Sequence, residues 1–95
     1  MYDLTGFQRD LLYIISGLEE PHGLAVKDKI EDYYESEINH VRLYPNLDIL
    51  VERGLVDKGQ MDKRTNIYSI TQRGQRKIAA RTEWEEQYIN LKTAE

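Results

Sequence analysis

Polar side chains able to hydrogen-bond to nucleic-acid bases are concentrated between residues 39 and 46. An arginine can bind guanine through two hydrogen bonds, and an asparagine amide can bind adenine in the same way. A tyrosine can direct its hydroxyl to a phosphate while its ring packs in a core. The residues that could read or position DNA in this way are Asn39, His40, Arg42, Tyr44 and Asn46.

A second polar segment could hold phosphates or reach the minor groove, and it consists of Lys63, Arg64, Thr65 and Asn66. It lies within residues 58–81, where seven lysines and arginines against Asp62 alone give +6, although the whole chain carries −4. Residues 1–37 hold three basic and nine acidic side chains, which give −6. Any single cation could be solvated surface, so it is the clustering that predicts double-stranded DNA as the partner.

The residues needed for most enzymatic or metal chemistry are missing from the sequence. There is no cysteine, which excludes disulfides and thiolates. The two histidines, His22 and His40, are eighteen positions apart and lack the short spacing of a metal site, so we interpret both as structural or surface residues. No glycine-rich phosphate loop is present. We expect no enzyme, no metal and no cofactor, and no feature identifies an effector ligand.

A core-facing helix is predicted to carry the first polar set, because four apolar residues follow helical spacing: Leu43, Leu47, Leu50 and Val51. Asn39 is a candidate N-cap, and Gly54 is placed to end the helix in a left-handed conformation. Pro45 lacks an amide donor and disfavours helical geometry in the residue before it. Regular α-helix is therefore expected to begin near Pro45, with residues 41–44 forming a distorted or 3₁₀ turn or a loop.

A β-hairpin is predicted after this helix, with strands at residues 55–61 and 67–70 and residues 62–66 as the tip. Thr71 is expected to cap a final helix, and Gly74 to permit close approach of another backbone. Helix, turn, helix and hairpin in this order predict a winged helix-turn-helix, an α+β fold that is mostly helical.

Two further helices are predicted upstream. Thr5 and Gln8 have capping-box spacing, and the first helix should end near Gly17. Its apolar stripe, interpreted as core, is Phe7, Leu11, Ile14, Ile15 and Leu18. The second helix is expected from about Gly23 to Tyr34, with Tyr33 and Tyr34 at the core edge rather than forming a stacking platform.

The last apolar stripe lies beyond the point where the predicted domain has core to cover, and it consists of Ala80, Trp84, Tyr88 and Leu91. A small domain gains stability from a partner subunit. We therefore interpret residues 1–75 as the DNA-binding domain and residues 76–95 as a dimerisation helix of the same unit. The alternative is that the stripe packs back on the first helix.

Three motifs resemble the PadR-like winged-helix transcription regulators: Leu-Tyr-Pro-Asn-Leu at 43–47, Leu-Val-Glu-Arg-Gly-Leu-Val at 50–56, and Arg64 ahead of Tyr-Ser-Ile-Thr-Gln-Arg-Gly at 68–74. Agreement reaches upstream to Pro-His-Gly-Leu at 21–24, so it covers roughly Leu11 to Arg81. The resemblance implies a sequence-specific DNA-binding regulator, most simply a repressor that binds a pseudo-palindromic operator as a homodimer. A winged-helix module that binds a protein and no DNA is the alternative. No apolar run could span a membrane, and we expect a cytoplasmic protein.

Overall fold

The computed structural model describes residues 1–89 and, within them, contains four α-helices and one antiparallel pair of strands. In chain order these are α1 Gly6–Gly17, α2 Gly23–Tyr34, α3 His40–Glu52, β1 Val56–Gln60, β2 Asn66–Ile70 and α4 Gln72–Ile89. The predicted winged helix-turn-helix is confirmed. None of the helices described is long and apolar enough to cross a membrane.

The start of α1 is the predicted capping box. The Thr5 hydroxyl accepts from the Gln8 backbone N–H at 3.1 Å, and the Gln8 side chain accepts from the Thr5 N–H at 3.1 Å. The helix then buries Phe7, Leu11 and Ile15. The core that α1, α2, α3 and the hairpin share is completed by Leu4, Leu12, Val26, Ile30, Ile38, Leu43, Leu47, Leu50, Leu55, Val56 and Tyr68.

The predicted start of α3 near Pro45 is wrong, because the helix begins at His40 and holds Pro45 in its interior. Asn39 is confirmed as the N-cap, since its side-chain oxygen accepts from the Arg42 N–H at 3.0 Å. An interior proline costs about 3 kcal/mol. Full burial of Leu43 and Leu47 on either side of it contributes about 1.5–3 kcal/mol each, which outweighs that cost.

The first strand, Val56–Gln60, is shorter than predicted by one residue at each end, and Asn66 belongs to β2 rather than to the tip. The register pairs Val56 with Ile70 at the base and Gln60 with Asn66 at the tip. Within β2, the Tyr68 N–H donates to the Pro21 carbonyl at 2.9 Å. The connection between α1 and α2 therefore lies along β2 and fixes the wing against the start of α2.

The junction between α3 and α4 depends on two glycines and a threonine. Gly54 has φ 75°, the left-handed conformation expected there. The Thr71 hydroxyl donates to the Gly54 carbonyl at 2.7 Å and accepts from the Gly74 N–H at 3.0 Å. A Cβ on Gly74 would overlap the Leu55 carbonyl oxygen, so the predicted close-packing role of Gly74 is confirmed.

The core-edge prediction for the tyrosine pair at the end of α2 holds for one of them. Tyr34 packs against the core, whereas Tyr33 is 73 % exposed. In α4 the buried residue is Gly74, near the N-terminal end of the helix, and Ile78 packs partly against the core. The remainder of α4 extends away from the domain.

Candidate nucleic-acid interface

Three elements that are separate in sequence enclose a cleft of about 450 Å³. The first turn of α2 forms one wall, α3 contributes His40 and Tyr44, and the wing contributes Arg64, Thr65 and Asn66. Five of the nine residues predicted to contact DNA therefore line one concave surface. Donors on the walls suit an anionic or polar ligand such as a nucleic-acid backbone.

The wall made by α2 was not predicted from the sequence, although the Pro21-His22-Gly23 break indicated a helix start. His22 is the N-cap of α2 and its Nδ1 accepts from the Ala25 N–H at 3.2 Å. A Cβ on Gly23 would lie 2.6 Å from the Tyr44 hydroxyl, so the absence of a side chain there is what lets the tyrosine approach α2. His40 packs over Tyr44 with ring centroids 5.4 Å apart.

The tip of the wing is ordered by one carboxylate. Asp62 accepts from the backbone N–H groups of Arg64 and Thr65, both at 2.9 Å. The hydrogen bond from Arg64 is the largest cause of the lowered pKa of Asp62, and the bonds from Thr65 act in the same direction. Among residues 1–89, neither Lys63 nor Arg64 forms an ion pair. Both cations therefore remain available for phosphates.

Arg42 is exposed on α3, and its guanidinium lies against two aromatic rings. Its guanidinium lies 4.0 Å from the centroid of the Phe7 ring and 5.8 Å from that of Tyr34. The Tyr34 hydroxyl in turn donates to Asp10 at 2.7 Å. The pKa of Tyr34 is raised, chiefly by burial and to a smaller extent by the Asp10 carboxylate. Arg42 thus packs on an aromatic surface that α1 and α2 supply.

The two asparagines of the predicted reading set also have partners within the fold. The side-chain oxygen of Asn39 is occupied by the cap of α3. In Asn46 the side-chain oxygen accepts from the Gln8 Nε2 at 2.9 Å, and the amide nitrogen donates to the Arg42 carbonyl at 2.7 Å. Bidentate binding of adenine needs both ends of an asparagine amide, so neither residue offers that arrangement as it stands.

The outward face of α3 carries residues that the sequence reasoning passed over. Val41 is 81 % exposed and Pro45, one turn later, is exposed as well. The exposure of Val41 follows from the sequence only if residue 41 is helical, because it then lies on the side of α3 opposite Leu43 and Leu47. The predicted helix start near Pro45 left residue 41 outside the regular helix.

The basic segment 58–81 is continuous in sequence and divided in space. Lys58 pairs with Asp48 at 3.5 Å. A Cβ on Gly54 would lie 3.6 Å from Arg73 Cδ, so Arg73 is at the C-terminal end of α3. The thirteen residues of α3 span about 20 Å, which separates this end from the cleft. Of the seven lysines and arginines in this segment, Lys63 and Arg64 lie at the wing tip.

The predicted dimerisation stripe is exposed as far as the structure describes it. Trp84 and Tyr88 are 50 % and 62 % exposed, with ring centroids 5.2 Å apart. The Arg81 guanidinium lies 4.7 Å from the Trp84 ring and its Nε donates to Glu85 at 3.2 Å. Ala80 is exposed on the same helix. Leu91 falls outside the described residues.

The comparisons with known proteins agree on one class. The model of the transcriptional regulator PadR-like family matches residues 11–80. RosR of H. salinarum is 48 % identical in the complex structure designated hsRosR-S1, with a TM-score of 0.87 over 90 % of this chain and 76 % of that one. The RosR structure grown from NaBr gives 48 % identity and a TM-score of 0.85 over the same shares of the two chains. MarR shares the fold, with a TM-score of 0.71 over 94 % of this chain and 62 % of that one, at 22 % identity. No curated protein sequence matches the chain.

Proposed function

Because this chain belongs to the PadR-like family of DNA-binding transcriptional regulators, which are not enzymes, we propose that it is a repressor that binds a pseudo-palindromic operator as a homodimer. The observation that carries the proposal is the cleft between α2, α3 and the wing, which joins the N-terminal end of α3 to Arg64, Thr65 and Asn66 of the hairpin. This end of a recognition helix is the one that usually meets base edges.

In the proposed complex α3 enters the major groove while the wing follows the backbone. Lys63, Arg64, Thr65 and Asn66 contact phosphates or the minor groove, and Tyr44 gives its hydroxyl to a phosphate. His40 lies at the mouth of the cleft and contacts the base edge or backbone nearest to it. Repression then follows from occlusion of the promoter.

Arg42 and Asn46 differ in what it costs them to turn toward DNA. An exposed cation–π contact such as that of Arg42 on Phe7 is worth about 0.5–1 kcal/mol, less than the 1–3 kcal/mol of a bidentate bond to guanine. Arg42 therefore leaves the ring and reads a base. Asn46 would abandon the buried amide of Gln8, at about 1–3 kcal/mol, so any base contact it makes gains little. Asn39 contributes through its amide nitrogen, because its side-chain oxygen is held in the cap of α3.

The homodimer is proposed to form through α4. Burial of the exposed half of Trp84 would contribute about 2–3 kcal/mol from each subunit, more than a surface ion pair such as Arg81–Glu85. Two-fold symmetry then places two copies of α3 about one DNA turn apart, roughly 10 base pairs centre to centre.

The DNA proposal is tested by selecting fragments of the source genome on the purified protein and sequencing them. We expect an inverted repeat with half-sites about one turn apart, and repression of transcription in vitro from a promoter that contains it. Enrichment of no motif, or a motif without inverted symmetry, would contradict operator binding by a dimer. Stimulated transcription would reverse the sign of regulation.

The assembly is tested with Trp84→Glu and a matched control, Thr82→Glu, which adds the same charge two residues away on the opposite side of α4. Light scattering at micromolar concentration should give dimers for the wild type and for Thr82→Glu, and monomers for Trp84→Glu. A wild-type monomer, or an intact dimer in Trp84→Glu, would contradict dimerisation through this helix.

A further inference from the structure

One exposed side of the recognition helix is apolar. Val41 is 81 % exposed at the second position of α3, and Pro45 is exposed one turn further along the same side. Neither belongs to the buried core, which α3 meets through Leu43 and Leu47 on its other side. A branched hydrocarbon side chain in this position has no packing role within residues 1–89.

The polar side chains around Val41 have partners within the fold. The Arg42 guanidinium lies on Phe7, and the Asn46 amide is held by Gln8. His40 leans over Tyr44 at the edge of the cleft. What α3 presents directly outward at its N-terminal end is therefore an apolar surface bounded by polar groups.

DNA offers one apolar group to a helix in the major groove, the 5-methyl group of thymine. Guanine, adenine and cytosine present only donors and acceptors on that side. Valine suits this contact because its branched side chain is restricted at χ1 and loses little conformational freedom on binding. Val41 and Pro45 each directly follow a residue that lines the cleft, since His40 precedes Val41 and Tyr44 precedes Pro45. The groove that the DNA-binding proposal places at the cleft is therefore the environment that this surface meets.

We infer that Val41, supported by Pro45, recognises the 5-methyl group of a thymine in each half-site of the operator. Val41 is then a specificity-determining residue that acts by apolar contact beside hydrogen-bonding neighbours. The inference rests on the proposed function, since it requires α3 to lie in the major groove.

Replacement of thymine by uracil removes this methyl group and leaves base pairing intact, so it isolates the contact. Each thymine of the selected operator is replaced in turn, and binding is measured for the wild type, Val41→Ser and Val41→Ile. Serine removes both γ-methyl groups, whereas isoleucine keeps a branched apolar side chain. Since Val41 is outside the core, both variants should melt at the wild-type temperature by circular dichroism.

For the wild type we expect about fourfold weaker binding at one thymine position per half-site, the factor that corresponds to about 0.8 kcal/mol for one buried methyl-sized group. Val41→Ile should retain this difference and Val41→Ser should lose it. Affinity for random DNA should be the same in all three proteins.

Specific binding without any uracil effect, or an equal uracil effect in Val41→Ser, would overturn the inference and leave the proposed function intact. The same holds if Val41→Ser weakens binding to thymine and uracil operators alike, because Val41 would then contact another group. Absence of operator preference over random DNA in the wild type would refute the proposed function itself, and the inference with it. If uracil replacement has no effect on DNA binding and the protein binds another protein only when Val41 is intact, the apolar surface is a protein contact instead.

Discussion

Replacing Asn46 by alanine should destabilise the fold as well as alter DNA binding. The Asn46 side-chain oxygen is the acceptor for the Gln8 Nε2, 38 residues away in sequence, at 2.9 Å. Gln8 is only 6 % exposed, and its own side-chain oxygen is already bonded to the Thr5 N–H at the start of α1. The two amides therefore link the cap of α1 to the recognition helix.

The size of the effect follows from the burial of Gln8. In Asn46→Ala the Gln8 nitrogen keeps its burial and loses its acceptor, and an unsatisfied buried donor costs about 1–3 kcal/mol. The other bond of Asn46, to the Arg42 carbonyl, is exposed, where water replaces it at little cost. For a domain of this size the melting temperature should fall by roughly 4–8 °C for each kcal/mol.

The assay is thermal and urea denaturation of the wild type, Asn46→Ala, Asn46→Asp, Gln8→Ala and the double alanine variant, all at one protein concentration. Asn46→Asp keeps an acceptor for Gln8 and should lose clearly less stability than the alanine variant. The double variant should fall short of the sum of the single losses by about 1 kcal/mol or more, as contacting residues do.

Asn46→Ala with a wild-type melting temperature and a loss of about 1–3 kcal/mol confined to the operator would refute this reasoning. The amide would then turn out to DNA, and its bond to Gln8 would contribute nothing measurable. Equal loss on operator and random DNA would instead indicate a displaced recognition helix, consistent with the structural role.

Three further outcomes follow from the structure. The double variant Lys63→Ala, Arg64→Ala should bind all DNA sequences more weakly, and by the same factor. The slope of log affinity against log salt concentration should fall by about one for each phosphate that the wing no longer neutralises. An unchanged slope in a salt titration would exclude a phosphate-binding role for the wing. Gly74→Ala should destabilise the protein by about 1–3 kcal/mol in urea denaturation, because the added Cβ would overlap the Leu55 carbonyl oxygen. This loss should exceed the gain from the better helix propensity of alanine, so a more stable variant would contradict the packing. Burial raises the pKa of Tyr68 to about 12 from the usual value of 10. Since the unfolded chain releases this proton first, stability should fall between pH 10 and 12 by up to about 1.4 kcal/mol per pH unit, and Tyr68→Phe, measured over the same range, should lack that part of the fall.

The elements of the fold were predictable because their ends are determined by local signals. The Thr5–Gln8 capping box, the left-handed Gly54 and the Thr71 cap each act within a few residues of their own position. Apolar spacing then identified most of the buried side of α1, α2 and α3, whereas the apolar stripe of α4 is exposed. These signals depend on sequence neighbours, and they gave the correct order of helices and strands.

The start of α3 was mispredicted because two local signals conflict there. Pro45 argued for a late start and Asn39 for an early one. The choice depends on how much apolar surface the first turns bury, and Leu43 is fully buried in the core that α3 shares with α1, α2 and the hairpin. A tertiary contact thus decided between two valid local preferences.

The charge count along the chain does not show which basic residues lie near the proposed DNA-binding cleft. Residues 58–81 form one basic segment in sequence, yet Arg73 lies beside Gly54 at the end of α3 remote from the cleft. The base and the tip of the hairpin lie at opposite ends of a strand about 17 Å long. Charged residues that are close in sequence are therefore far apart in space. Among the basic side chains of this segment that the structure describes, Arg64 is the one that lines the cleft beside the N-terminal end of α3.

The type of a polar residue on α3 does not establish whether its donors and acceptors are free, and this governs which residues read bases. Arg42 and Asn46 lie one turn apart and look equivalent in the sequence, but α1 offers one a ring and the other a buried amide. A cation can leave an exposed ring at small cost, whereas an amide cannot leave a buried donor without destabilising the fold. Specificity should therefore depend more on Arg42 and the apolar Val41 than on the asparagine that pattern alone would favour.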